Sequence, residues 1–103
     1  MYKRSQDASV PIRALRNIAH AHAVLGNRDE AEMAFLEFDS YGDKVEVWDY
    51  AKGLRWWGEA LASWGEKGQA SEKLGAARER YVKLGAALEL RKVDEDLARL
   101  DMA

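Results

Sequence analysis

The sequence predicts an all-α protein, and three observations carry that prediction. Alanine and leucine dominate while the chain has eight glycines and one proline, a balance that suits helices better than a sandwich of short strands. Apolar residues recur at the three-and-four spacing of one helical face in five successive stretches. Glycines punctuate those stretches: Gly26 and Gly65 stand at breaks, and Gly85 sits where a left-handed cap would close a helix. With 103 residues, 48% of them apolar and 33% charged, the chain has the makings of one domain, 1–103, with a buried core and a solvated surface.

Each helix has a local reason. Ser9 can cap the first, Pro11 is tolerated in its opening turn, and Ile12, Leu15, Ile18, Ala19, His22 and Leu25 form its apolar stripe before Gly26-Asn27 ends it. Asp29 and Glu30 favour the N-terminus of a second helix, whose stripe is Ala31, Ala34, Phe35 and Phe38. After a turn at Tyr41-Gly42-Asp43, a third helix carries Val47, Ala51, Leu54, Trp57, Gly58 and Leu61 to about Trp64. The fourth follows Gly65 and Gly68 with Ala70, Leu74, Ala77, Tyr81 and Leu84. A fifth places Leu90, Val93, Leu97 and Leu100 on one stripe, and leaves the run Asp94, Glu95 and Asp96 to the surface. Short connections make successive helices antiparallel neighbours, so the expected architecture is one hairpin over about 9–41, a second over about 44–84 and a capping helix over about 86–101.

The hairpins are related. A shift of 39 residues sets Leu15 on Leu54, Ile18 on Trp57, Ala19 on Gly58, His22 on Leu61, Gly26 on Gly65, Ala31 on Ala70, Phe35 on Leu74 and Phe38 on Ala77. Leu54-x2-Trp57-Gly58-x2-Leu61, followed by Ala70 and Leu74, resembles the tetratricopeptide repeat, and the first hairpin is a weaker copy. The spacing of 39 in place of 34, the missing closing proline and His22 in an aromatic column are departures from that family's pattern. The resemblance implies two hairpins stacked as a short right-handed α-solenoid with a C-terminal capping helix. The last third, from Arg80-Tyr81-Val82-Lys83-Leu84-Gly85-Ala86 onward, is similar to helical-repeat segments of bacterial transcriptional regulators of the LuxR and MalT type.

By that resemblance, the first helix of each hairpin lines a concave groove for an extended peptide. Carried over by register, the groove positions include Arg13, Arg16 and His20 in the first hairpin, and Lys52, Arg55 and Glu59 in the second. The edge of the groove would be Trp56, with Trp48 also off the main apolar stripe. The net charge of −2 conceals alternating segments: +4 over 1–28, −7 over 29–50, +4 over 51–92 and −3 over 93–103. The expected partner is therefore a protein or peptide bearing acidic groups or a terminal carboxylate. Self-association into a homodimer, or a regulatory domain sensing a small acidic ligand, are the alternatives. The carboxylate clamp of chaperone-binding family members needs asparagine where this chain has Glu59, so the resemblance does not extend to chaperones.

Other chemistries find no support in the sequence. The two histidines, His20 and His22, diverge by about 200° on a helix, and the chain has no cysteine, so neither metal nor cofactor is expected. No constellation marks an enzyme. A helix-turn-helix reading fails because its recognition helix, Asp29 to Glu37, is acidic, so direct nucleic-acid binding is not expected. The first residues are polar, and no apolar run approaches the roughly 18 residues of a spanning helix, which predicts a cytoplasmic protein off the membrane.

Overall fold

The computed structural model describes residues 12–42 and 46–102, which contain five α-helices and, among the described residues, no strand. They are α1 (Ile12–Val24), α2 (Arg28–Ser40), α3 (Val47–Ser63), α4 (Lys67–Leu84) and α5 (Ala87–Met102). The expected Ser9 cap, Pro11, the Ile12 side chain and the Asp43 end of the second turn lie outside the described residues. The chain divides into two compact units, Met1–Val45 with α1 packed on α2, and Glu46–Ala103 with α3 packed on α4 and α4 on α5. Among the described residues no helix is long and apolar enough to cross a membrane.

Three helices end in the same way. After α1, Asn27 N–H donates to the His22 carbonyl at 2.8 Å and Gly26 N–H to that of Ala23 at 3.1 Å. After α3, Glu66 N–H donates to Leu61 at 2.9 Å and Gly65 N–H to Ala62 at 3.1 Å. After α4, Ala86 N–H donates to Tyr81 and Gly85 N–H to Val82, both at 3.1 Å. This paired closure satisfies carbonyls that a helix end would otherwise leave bare, and it requires a left-handed residue. The glycines supply it, with φ of 84° at Gly26, 82° at Gly65 and 68° at Gly85. The next helix starts two residues after Gly26, Gly65 and Gly85, which gives each antiparallel partner the same entry point.

The small-residue columns explain how the hairpins close. Ala19, Ala31 and Ala70 have no exposed surface, and Gly58 is buried. A Cβ built on Gly58 would stand 2.6 Å from Leu74 Cγ, 2.8 Å from its Cδ2 and 3.3 Å from the Ala70 carbonyl oxygen. Glycine at 58 is thus the condition for α3 and α4 to lie this close. Phe35 and Phe38 are fully buried in the first unit, as are Leu74, Ala77, Tyr81 and Val93 in the second.

Leu25, Val47 and Leu84, stripe positions at or beside helix ends, are 72%, 49% and 40% exposed, and two positions inside helices also depart from the sequence reading. Ile18 is 44% exposed, whereas its counterpart Trp57 is 6% exposed. The ammonium of Lys73 lies 4.1 Å from the Trp57 ring centre, laying an aliphatic stem and a cation over the indole. The position equivalent to Lys73 in the first hairpin is Ala34, too short to cover Ile18. The second departure is on α5, where Val93, Asp96 and Leu100 are buried, Leu97 and Leu90 are half-buried, and Asp96 is not the surface residue its acidic neighbours suggest.

Candidate functional site

The α3 helix brings four of the groove residues together. Lys52 precedes Arg55 and Trp56 by three and four residues and Glu59 follows them by four and three, the spacing of one helical face, and Trp48 stands one turn before Lys52. All four are half-buried. The Lys52 ammonium lies 5.2 Å from the centre of the Trp56 ring. Trp48 is 44% exposed and meets Tyr81 edge-on, with ring centres 5.9 Å apart and planes at 78°. On the flank of α4, the Arg80 guanidinium covers Tyr50 at 4.8 Å.

Arg55 differs from the cation expected to face a groove. It donates from Nε to Asp96 Oδ2 at 3.1 Å and pairs through its second nitrogen with Glu59 Oε2 at 2.9 Å. Its side chain is 18% exposed and that of Asp96 only 6%. Arg99, three residues along α5, donates to Asp96 Oδ1 at 3.0 Å. Asp96 therefore sits between two guanidiniums, which offsets the cost of burying its charge. Burial alone would lower the basicity of Arg55, but Glu59 and Asp96 outweigh it and raise its pKa above the usual value.

Glu59 completes the cluster from the other side. Burial, then its hydrogen bond to Asp96, then the negative charge there push its carboxyl up to about 7, against the opposing pull of Arg55 and Arg99. A carboxyl that titrates near neutrality is able to donate its proton to a neighbouring carboxylate, which for Glu59 is Asp96. Beside this pair α3, α4 and α5 enclose an open cleft of about 410 Å³. Its apolar floor is Ala62, Leu74 and Leu100, and Ser63, Lys67 and Arg99 join the two acids at its polar edge.

The first-hairpin residues belong to the other unit. There Arg13 is exposed, His20 is half-buried, and Arg16 is 7% exposed with Nε directed at Asn17 Oδ1, 3.4 Å away. A guanidinium buried to that degree is part of the packing. His22 Nδ1 lies 3.3 Å from the Asn27 side-chain nitrogen, so Asn27 spends its amide on the turn and makes no side-chain cap to α2.

Asp96 is the residue the sequence reading missed. One signal for it existed, since 93, 96 and 100 share the spacing of a buried stripe as well as 93, 97 and 100 do. Its partner Arg55 is 41 residues away, beyond the reach of any local pattern. No protein-family model, curated protein or solved structure matches this chain.

Proposed function

We propose that this chain is a short tetratricopeptide-like interaction module, its two hairpins stacked as a right-handed solenoid with α5 as the capping helix, which binds an acidic segment of another protein and carries out no chemistry itself. The observation that carries this reading is the repetition of one hairpin design at an interval of 39 residues: the same glycine-closed turn, the same start of the second helix and the same small buried columns at Ala19/Gly58 and Ala31/Ala70. Repeats of that kind set an exposed helix face at a fixed angle to a partner. On α3 that face carries Trp48, Lys52 and Trp56, which sets a cation beside tryptophan, a residue enriched where interfaces concentrate their energy. The ion pairs of Arg55 with Glu59 and with Asp96 make Arg55 and Glu59 the frame of this surface, while Lys52 and Trp56 are its contact residues.

Fluorescence anisotropy with labelled acidic peptides tests the proposal. The wild type should bind them, and Lys52→Glu and Trp56→Ala should each weaken binding at least tenfold without moving the unfolding midpoint. Equal affinity in wild type and both variants would overturn the reading. The cleft beside Leu74 and Leu100 favours a second reading, a sensor of a small acidic molecule; tryptophan fluorescence that responds to free carboxylic acids and not to peptides would select it.

A further inference from the structure

We propose that Glu59 and Asp96 form a proton-operated latch that fastens α5 to α3. The layout carries the argument. α5 packs mainly on α4 and touches α3 along a short stretch, where one guanidinium, that of Arg55, holds Asp96 of α5 at 3.1 Å and Glu59 of α3 at 2.9 Å, and both acids line the same cleft. From α3 the group is faced by Arg55, from α4 by Lys67 at the cleft and Tyr81 near Arg55, and from α5 by Asp96 and Arg99. With Glu59 protonated, its hydroxyl donates to Asp96, which keeps one negative charge between Arg55 and Arg99. With Glu59 ionised, two partly buried carboxylates face one another and the shared proton is gone.

The sign follows from linkage. In the latched state the Glu59 carboxyl titrates near 7, and when α5 lifts it returns toward the ordinary 4.5. The latched form thus binds the proton more tightly, so its advantage is complete below about 4.5 and is lost as pH rises through about 7. Such a latch loosens α5, and with it one wall of the cleft, across the neutral range. It stands independently of whether the module binds an acidic segment.

Amide exchange of the full chain at about pH 6 and about pH 8 tests this, with each rate divided by its intrinsic value so that ordinary base catalysis cancels. In the wild type, protection of α5 amides should fall about tenfold between the two conditions. In Glu59→Gln the amide donates to Asp96 at either pH, and α5 protection should be unchanged between them. Unchanged wild-type protection, or an equal fall in the glutamine variant, would overturn the latch. Carboxyl-carbon NMR of Glu59 in the wild type decides the matter even where the variant fails to fold: a midpoint near 7 supports the latch, and one near 4.5 overturns it.

Discussion

The two hairpins start from one plan and finish differently. Both close through a glycine-terminated turn with the same pair of hydrogen bonds, and both bury small residues in the same columns. The first leaves Ile18, Val24, Leu25, Met33 and Leu36 between 44% and 72% exposed, against 40% to 51% at Val47, Trp48, Val82 and Leu84 of the second. The second has helices of 17 and 18 residues, a lysine over its tryptophan, and a further helix tied to it by ion pairs. A repeat design therefore fixes how a hairpin closes, while its neighbours and side-chain lengths decide how much apolar surface is covered.

The largest effect expected from breaking that comparison is in the first hairpin. Phe35→Ala removes a fully buried ring from a unit with few large apolar residues inside, and should cost about 3–5 kcal/mol in urea denaturation. A loss below about 1 kcal/mol would mean that the hairpin contributes little to the cooperative fold.

Arg55→Glu should follow at about 3 kcal/mol, because it sets a third carboxylate beside Glu59 and the buried Asp96. This charge reversal is therefore a stability variant and unsuitable as a binding probe. Full retention of the thermal midpoint would show that the Arg55–Asp96 ion pair between α3 and α5 holds nothing.

Exchanging the residues of one column sharpens the comparison further. Gly58→Ala gains up to about 1 kcal/mol of helix propensity but drives a Cβ to 2.6 Å from Leu74 Cγ, so a net loss of about 1–2 kcal/mol is expected. The reciprocal Ala19→Gly should lose about 1 kcal/mol from propensity and lost packing. If Gly58→Ala stabilises the protein, the close approach of α3 and α4 does not depend on that glycine.

Much of this was legible in the sequence, for local reasons. Gly26, Gly65 and Gly85 mark helix ends because few other residues enter left-handed backbone at so little cost, and Ala19, Gly58, Ala31 and Ala70 mark close contacts because nothing larger fits. The period of the stripe predicts a buried Ile18, yet it lies 44% exposed, since its cover depends on the length of residue 34 across the hairpin. The sequence pattern makes Arg55 a groove cation and Asp96 a surface acid, and they form a part-buried pair only once a helix 41 residues later is folded back. Pairings of that range leave no periodic trace.

The smallest effect is predicted for the neighbouring acid. Asp94 accepts from Arg78 at 2.7 Å, but both side chains are 46% exposed, so Asp94→Asn should shift stability by less than about 1 kcal/mol and fade with added salt. A loss matching that of Arg55→Glu would erase the distinction between the buried and the exposed ion pairs of α5.

The central claim is that one hairpin design occurs twice and is completed only in the second. Native-state hydrogen exchange of the full chain at a single pH tests it helix by helix. Amides of α3 and α4 should open with the highest free energy and those of α1 and α2 with a lower one. Equal protection in both hairpins, or greater protection in α1 and α2, would contradict it.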